Sequence, residues 1–254
     1  MIDWDKLSCD STFLALYSKN GQFAISIMNS LVSKYSSNAE GRLRNFVKDQ
    51  LYIVVSSAEC YNLTMKNVVH HYIKLISQLD DLWSFDVDNC ILPHILLINS
   101  LDNSIKTDRE YILNSFKQEF KRVNFDVVIG NPPYNRGMDL DFVNFGFDAA
   151  TKCTVMITPA KWQTAEGDQS IASTISYKEF RDKLVPHMRT VCYYPNSLDV
   201  FDKVYQIDGI SYFLLDKDIH DKCNVINVQD TICSKVNASL KKSEGSDFRE
   251  RESI

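Results

Sequence analysis

Short apolar runs alternate along the chain with longer stretches in which apolar residues recur every three or four positions. The short runs predict β-strands at 13–16, 51–55, 95–99, 125–129, 154–158, 190–194 and 210–214. The longer stretches predict α-helices at 22–34, 58–78, 108–122, 139–150 and 177–184. Strands that alternate with helices are typical of a parallel sheet, whereas the last two runs follow each other without a helix between them. The pattern predicts a doubly wound α/β fold with seven strands, of which the last two form an antiparallel pair.

The polar composition near the carboxyl end sets the expected boundary of the domain. A short strand is predicted at 224–228, and the polar segment 234–254 is predicted to be a disordered tail. Of the 254 residues, 44% are hydrophobic and 24% are charged, which are typical values for a globular protein. We expect a single domain over residues 1–233, because a chain of this length can bury a sizeable core.

The apolar run 125–129 leads into a turn of uncommon composition. Asn131, Pro132, Pro133 and Tyr134 come shortly after it, and ligand sites in open α/β sheets lie at the carboxyl ends of the strands. The prolines fix φ and have no backbone N–H, so the turn is expected to be rigid with its carbonyl groups directed outward. Asn and Pro are also common in ordinary loops, but the preceding strand favours a functional site over that interpretation.

These residue types suit a planar amine as substrate. The amino group of adenine is a poor nucleophile because its lone pair is delocalised into the ring, and two hydrogen-bond acceptors can localise that pair. The side-chain oxygen of Asn131 and the backbone carbonyl of Pro132 can each accept one amino hydrogen and stabilise the positive charge that develops on nitrogen. Tyr134 offers an aromatic face, and stacking on such a face contributes about 1–3 kcal/mol per base. The turn is thus predicted to bind an extruded base, with Asn131, Pro132, Pro133 and Tyr134 as catalytic residues.

The stretch 124–134 resembles the catalytic motif of S-adenosylmethionine-dependent amino methyltransferases. The wider chain resembles the adenine-specific DNA methyltransferase domain of restriction-modification enzymes. Residues 12–34 are similar to the family's cofactor loop and helix, 156–162 to the strand and loop after the catalytic turn, and 193–197 with 209–215 to its closing hairpin. The resemblance implies a Rossmann-like methyltransferase fold, with a doubly wound, mostly parallel seven-stranded sheet in which one strand is antiparallel. It also implies methyl transfer from S-adenosylmethionine to the exocyclic amine of a flipped adenine, in a restriction-modification or phage anti-restriction system.

The same resemblance implies which residues of the motif-bearing core, 12–218, hold the cofactor. The loop after the first strand and positions that follow the second and third strands are expected to contact it. These residues are Ser18, Asn20, Gly21, Phe23, Ser57, Glu59 and Asp102. The loop departs from the family pattern, because Ala15 stands where an acid is common and Tyr17 and Lys19 lie in a stretch that usually carries two glycines. Weakened cofactor binding is expected from this departure.

Loops at the same edge of the sheet are expected to contact the substrate through Arg136, Lys161 and Trp162. The formal net charge is -5, whereas tight binding to nucleic acid normally draws on a basic surface. We therefore expect the chain alone to hold DNA weakly and to work with a separate specificity subunit or target-recognition domain. The short segment before residue 12 and the lack of room for an insertion before the catalytic turn agree with that expectation.

Several classes of protein and site are excluded by the sequence. No apolar run approaches the roughly 20 residues that span a bilayer, and the amino terminus has no secretory signal pattern. There is no Cys-x-x-Cys pair, and His70 and His71 are adjacent, so no metal site is predicted. The 7 cysteines are scattered and odd in number, which indicates free thiols and a cytoplasmic location. None of them follows a proline, which excludes the nucleophile of cytosine-5 methyltransferases.

Alternatives to DNA methylation stay open. A nuclease with Asp108, Glu119 and Lys121 at a metal site matches in residue types, but that motif needs a strand and these residues follow a helical pattern. A degenerate methyltransferase-like module that acts as a subunit or binding partner fits the departures in the cofactor loop. A methyltransferase of RNA, or of glutamine side chains in proteins, is compatible with the same catalytic turn.

Overall fold

The computed structural model describes residues 7–79, 92–135, 137–164, 173–203, 205–229 and 232–239. The chain divides into two compact units, which comprise Asp3–Gly130 and Asn131–Ile254. Each unit has its own set of strands and helices.

The first unit contains the strands β1 (Phe13–Leu16), β2 (Leu51–Val55), β3 (His94–Leu97) and β4 (Phe125–Gly130). Its helices are α1 (Gln22–Lys34), α2 (Ala39–Asn45), α3 (Ala58–Leu79), α4 (Leu101–Thr107) and α5 (Arg109–Glu119), and a π-helical turn, Phe46–Gln50, follows α2. The strands lie in the order β3-β2-β1-β4, and each neighbouring pair is parallel. Every residue of β1 and β2 is buried. Such burial is typical of parallel strands covered on both faces, which explains their uninterrupted apolar runs.

The register between β1 and β4 is fixed by polar groups at their starts. Both the backbone N–H and the hydroxyl of Thr12 donate to Oδ2 of Asp126, at 2.9 and 3.2 Å, and the Asp126 N–H donates back to Oγ1 of Thr12 at 3.1 Å. The ladder then runs to the pair Leu16 and Gly130. These two residues end their strands, so β1 and β4 finish side by side within the first unit.

The second unit contains the strands β5 (Ala150–Pro159), β6 (Met188–Tyr194), β7 (Ile210–Asp216), β8 (Lys222–Gln229) and β9 (Ile232–Ser239), together with the helices α6 (Met138–Ala149) and α7 (Tyr177–Leu184). These strands lie in the order β5-β7-β6-β8-β9. Strand β7 is antiparallel to both of its neighbours, β6 and β8 are parallel, and β9 is antiparallel to β8. The unit therefore mixes both kinds of pairing.

The structure confirms the α/β class and places a strand or helix at each position where one was predicted. Strand β7 is the predicted reversed strand. The predicted helix 108–122 is shorter in the structure, because Asp108 caps α5 by accepting a hydrogen bond from the backbone N–H of Tyr111 at 2.9 Å. Strand β5 begins at Ala150, earlier than predicted.

Four elements were not predicted in full, and one of them is α4, a helix of 7 residues that lies between the predicted strand 95–99 and the predicted helix 108–122. Helix α2 and the π-helical turn lie in a stretch rich in charged residues, yet Leu43, Phe46 and Val47 are buried there. Strand β9 begins two residues before the segment 234–254 that was predicted to be disordered and continues into it as far as Ser239. An edge strand needs few apolar side chains, because its ladder with β8 supplies its hydrogen bonds, and polarity was therefore a poor guide there. Residues 240–254 lie outside the described part, and a single domain over 1–233 stays a prediction.

We expect Gly21→Ala to lower the free energy of unfolding by about 1–3 kcal/mol, because φ is +81° and a Cβ would lie 2.6 Å from Cγ2 of Val68. Gly41→Ala is the matched control. Gly41 lies inside α2, and the atom nearest to an added Cβ, at 2.8 Å, is the side-chain oxygen of Asn38, which can turn away. Alanine there should stabilise the helix by up to about 1 kcal/mol. Urea unfolding measures both variants, and equal stability of the two would contradict the close packing at Gly21.

Candidate active site

The turn that begins directly after β4 has an internal hydrogen bond between its first and last residues. The phenol of Tyr134 donates to the side-chain oxygen of Asn131 over 2.6 Å, and its oxygen lies 3.5 Å from the backbone carbonyl of Ile157 in β5. Pro132 is buried, whereas Asn131 and Tyr134 are half-buried. The four predicted catalytic residues thus lie in one turn, whose first and last side chains are joined by a hydrogen bond.

An aromatic partner supports the ring of Tyr134. The ring centroid of Phe201, in the connection between β6 and β7, lies 6.3 Å from that of Tyr134, with the planes tilted by 58°. Burial raises the pKa of the Tyr134 phenol well above its ordinary value, and the nearby carboxyl of Asp139 adds to the rise. The phenol therefore stays protonated and remains a donor. Sequence reasoning missed Phe201, because nothing in its local pattern distinguishes it from other loop aromatics.

Two buried acids lie in the first turn of α6, shortly after the catalytic turn. Asp141 is fully buried and accepts hydrogen bonds from the backbone N–H of Thr174, at 3.1 Å to each carboxylate oxygen, and from its hydroxyl. Burial raises the pKa of Asp139 to about 7; its own backbone N–H opposes that rise, and Asp141 adds to it. The pKa of Tyr177 is raised to about 12. Burial is the largest cause, and the charges of Asp139 and Asp208 add to it. Burial is therefore the largest cause of the raised pKa of both Asp139 and Tyr177.

The loop after β1 is held by hydrogen bonds to β2 and α3 and by one between its own residues. The backbone N–H of Ser18 donates to the carbonyl of Val54 at 2.8 Å, and its hydroxyl oxygen accepts from the backbone N–H of Gly21 at 3.0 Å. That hydroxyl also lies 3.5 Å from the hydroxyl of Thr64 in α3. Gly21 begins α1 in the left-handed conformation and its missing side chain makes room for Val68. Ser18 and Gly21 therefore shape the loop and pack it against α3.

The other residues predicted in this loop are more accessible. The backbone carbonyl of Asn20 accepts a hydrogen bond from the side chain of Asn67 at 3.0 Å. The side-chain oxygen of Asn20 accepts one from the backbone N–H of Gln22 at 3.4 Å. Phe23 is half-buried on α1 and Lys19 is exposed. The loop thus presents Lys19 and Asn20 at the surface, while its backbone is tied to α3.

The acidic and hydroxyl candidates after β2 and β3 differ from one another in their surroundings. The hydroxyl oxygen of Ser57 accepts from the backbone N–H of Cys60 at 3.1 Å and so caps α3. Glu59 is exposed in the first turn of that helix. Asp102, in the first turn of α4, has its Oδ1 atom buried with no hydrogen-bond partner among the described residues. Asp102 therefore has an acceptor oxygen available for a ligand.

Tyr17 is the residue at this end of the first unit that sequence reasoning did not assign to the site. Its backbone has φ +62°, which is a strained conformation for a bulky residue. Its phenol is hydrogen-bonded to Asp102 and to Ser56, so it links the ends of β1 and β2 to α4. Burial raises the pKa of Asp102, while the Tyr17 hydrogen bond and the charge of Lys19 oppose the rise. The signal in the sequence was a bulky residue in a loop expected to be rich in glycine.

The three predicted substrate contacts have different outcomes. Lys161 is exposed in the 3₁₀ turn, Ala160–Gln163, that follows β5. Trp162 lies in the core instead of at a surface: it is 1% exposed, its indole N–H donates to Ser211 at 3.0 Å, and its ring packs against Phe180 and Phe213. Burial leaves the indole no face for a substrate. Arg136 lies outside the described residues.

The nuclease alternative is wrong. Asp108 caps α5 and Glu119 is the last residue of the same helix. Lys121 follows that helix with φ +57°. The metal-binding motif of those nucleases needs its Glu and Lys on a strand, and these residues do not lie on one.

Within the described ranges, no cluster of His, Cys, Asp and Glu could hold a metal ion. Among the described helices, none is long and apolar enough to cross a bilayer.

The model of the Eco57I restriction-modification methylase family matches residues 2–142, which include the loop after β1 and the turn after β4. This match covers more than half of the chain. The chain belongs to the Eco57I restriction-modification methylase family. The matched residues contain β1 and β4, whose last residues, Leu16 and Gly130, are paired.

A curated relative is an uncharacterized adenine-specific methylase of Mycoplasma pneumoniae (strain ATCC 29342 / M129 / Subtype 1). It is 32% identical over 115 residues, which cover 40% of this chain and 26% of that protein. This member of the Eco57I family thus spans about a quarter of the length of the relative that it matches.

Solved structures of restriction-modification enzymes share the fold. The DrdV–DNA complex has a TM-score of 0.63 at 12% identity, and the match covers 90% of this chain and 27% of that one. The EcoKI M protein of a type I restriction enzyme has a TM-score of 0.59 at 12% identity, covering 87% and 45%. MmeI, a type IIL restriction-modification enzyme in complex with DNA, has a TM-score of 0.57 at 11% identity, covering 91% and 34%. The Rossmann-like methyltransferase fold is thereby confirmed.

We expect Asp139→Asn to flatten the dependence of stability on pH. Since the folded pKa is about 7 and the ordinary value is 3.8, the folded state holds the proton more tightly than the unfolded state. Wild-type stability should therefore fall as pH rises from about 4 to about 7. The variant should lose that fall and be the more stable protein at pH 8. Thermal unfolding measured across this pH range tests the expectation.

Asp182→Asn, which changes an exposed carboxyl on α7, is the control and should follow the wild-type curve. Parallel curves for the wild type and Asp139→Asn would contradict the burial of an ionisable carboxyl at this position.

Proposed function

We propose that this protein transfers a methyl group from S-adenosylmethionine to the 6-amino group of a flipped adenine in DNA, as part of a restriction-modification or phage anti-restriction system. The observation that carries the proposal is the turn after β4, in which the phenol of Tyr134 donates to the side-chain oxygen of Asn131. Membership of the Eco57I methylase family and the adenine-specific relative support the same chemistry.

The residues of the turn have distinct parts in this proposal. The side-chain oxygen of Asn131 and the carbonyl of Pro132 accept the two amino hydrogens, which concentrates the lone pair on nitrogen and stabilises its developing positive charge. Pro133 keeps the turn stiff, and the ring of Tyr134, backed by Phe201, provides the stacking face. S-adenosylmethionine supplies a methyl group on a positively charged sulfur, so an amine with an available lone pair is a sufficient acceptor. Positioning then supplies much of the rate enhancement.

The residues of the first unit fit the cofactor in part. The unpartnered Oδ1 of Asp102 suits a hydroxyl or amino donor of the cofactor, and Glu59 is exposed and available to another. Asn20, Phe23 and Lys19 are the accessible residues of the loop, and we assign contacts with the cofactor to them. Ser18, Gly21 and Ser57 support the site indirectly, because their groups are engaged in the loop and in the cap of α3.

We assign substrate contacts to Lys161 and to Arg136, and we propose that DNA binding depends on another domain or chain. The net charge of -5 predicts weak binding of DNA by this chain alone. A separate specificity subunit or a target-recognition domain would supply the basic surface and the sequence reading. A cytoplasmic location completes the proposal, and the free thiols of Cys9, Cys60, Cys192 and Cys223 are consistent with it.

A second candidate function is a degenerate methyltransferase-like module that acts as a subunit or binding partner. The observation in its favour is Tyr17, whose phenol already engages Asp102 at the end of the first unit where a cofactor is expected. The same catalytic turn also suits amino groups in RNA or glutamine side chains in proteins. Binding of S-adenosylmethionine separates the module from an enzyme, and the identity of the methylated product separates the substrates.

We expect Asn131→Ala to lower methylation by about 100-fold or more, because it removes an acceptor that acts on the developing charge. Calorimetric titration should show cofactor binding within about twofold of the wild type, since Asn131 is assigned to the amine and not to the cofactor. The assay supplies S-adenosylmethionine labelled in its methyl group and counts label in DNA. Asn135→Ala, four residues further on at an exposed position, is the control and should keep wild-type activity. Undiminished methylation by Asn131→Ala would refute the assigned role.

We expect Asp102→Ala to weaken binding of S-adenosylmethionine by roughly 10-fold or more, the usual effect of losing a hydrogen bond to a charged group. Glu59→Gln is compared with it, because Glu59 is exposed and its loss should have a smaller effect. Calorimetry measures both variants against the wild type. A larger effect of Glu59→Gln would contradict the role of Asp102 and indicate that the cofactor binds next to α3. If the wild type gives no heat at millimolar S-adenosylmethionine, the result favours the module that binds no cofactor.

A further inference from the structure

We propose that Tyr134 is a positioning residue that holds the Asn131 amide with its oxygen toward the substrate amine, in addition to offering a stacking face. The proposal deepens the function proposed above and rests on it for its catalytic consequence. Its structural basis is the hydrogen bond of 2.6 Å from the Tyr134 phenol to Oδ1 of Asn131.

The orientation of this amide matters because its two ends are chemically opposite. The oxygen accepts hydrogen bonds and the nitrogen donates two of them, and the two ends have nearly the same shape. An Asn131 amide turned by half a rotation would present N–H groups to an amino group that itself donates. The turn would then repel the substrate amine instead of localising its lone pair.

The sequence of the turn removes the usual means of fixing an asparagine side chain. An Asn side chain in a turn commonly accepts a hydrogen bond from the backbone N–H two residues later. Here that residue is Pro133, and the residue before it is Pro132, so neither has an N–H to donate. The first residue after Asn131 that has any donor is Tyr134. Its phenol takes the place of the missing backbone donor.

The phenol is itself fixed from several sides. Its oxygen lies 3.5 Å from the carbonyl of Ile157, and its ring lies against that of Phe201. Burial raises the pKa of the phenol, so it keeps its proton over the working range of pH. An amide oxygen has two lone pairs, and Tyr134 occupies one of them. The other stays available for the amino hydrogen of the substrate.

Tyr134→Phe tests the proposal, because it keeps the stacking ring and removes the hydroxyl alone. We expect kcat for methylation of unmethylated double-stranded DNA to fall roughly 3- to 10-fold, the effect of losing one neutral hydrogen bond, with KM for DNA within about twofold. Tyr134→Ala should raise KM as well, since it removes the stacking face. Tyr111→Phe removes the hydroxyl of an exposed tyrosine on α5 and is the matched control. An unchanged kcat in Tyr134→Phe would overturn the proposal.

A second measurement does not depend on activity. In protein labelled with ¹⁵N at asparagine, the side-chain NH₂ resonances of Asn131 are assigned by their loss in Asn131→Gln. They should shift in Tyr134→Phe, while those of Asn135 stay in place. Unshifted Asn131 resonances would show that the phenol does not hold the amide and would overturn the proposal. A further outcome separates the two proposals. If the Asn131 resonances shift in Tyr134→Phe but the wild-type protein methylates neither DNA, RNA nor protein, the contact is supported and the proposed function is refuted.

Discussion

The parallel pairing of β1 with β4 is the constraint on which the proposed chemistry depends. Thr12 and Asp126 exchange hydrogen bonds at the start of these strands, and the register brings Leu16 opposite Gly130 at their ends. A slip of one residue would turn each side chain of the strand to the other face and shift the starts of both loops. The cofactor loop and the catalytic turn begin at the next residue of each strand. One ladder therefore fixes the origin of both.

The positions of the buried strands along the chain could be predicted from the sequence, because burial on both faces leaves a local trace. Every residue of β1 and β2 is buried, so each is a short apolar run with no alternation. Helix α2 and strand β9 left no such trace. The apolar residues of α2 and its π-helical turn are spaced among charged ones, and β9 is specified by its hydrogen bonds to β8 rather than by its own composition. Elements that depend on a partner in this way are poorly predicted from local pattern.

The residues of the candidate site also differ in how far the sequence could predict their roles. Asn131 and Pro132 supply the acceptors of the turn after β4, and Pro132 and Pro133 restrict its backbone. The residue types alone therefore indicate the chemistry. The role of a side chain elsewhere depends on what surrounds it. Ser57 is engaged as a cap, Trp162 is enclosed by aromatic neighbours, and the phenol of Tyr17 reaches Asp102, which lies far along the chain. The cap of Ser57 is a local contact that its sequence could indicate, whereas the contacts of Trp162 and Tyr17 have no signature in neighbouring residues.

The identity of the methylated product tests the central claim most directly. Unmethylated double-stranded DNA is incubated with the protein, with and without candidate specificity chains, and with S-adenosylmethionine labelled in its methyl group; the DNA is then digested to nucleosides and separated. The label should be recovered in N6-methyldeoxyadenosine. Label in a different nucleoside, or none in any nucleoside when cofactor binding is demonstrated under the same conditions, would contradict the account.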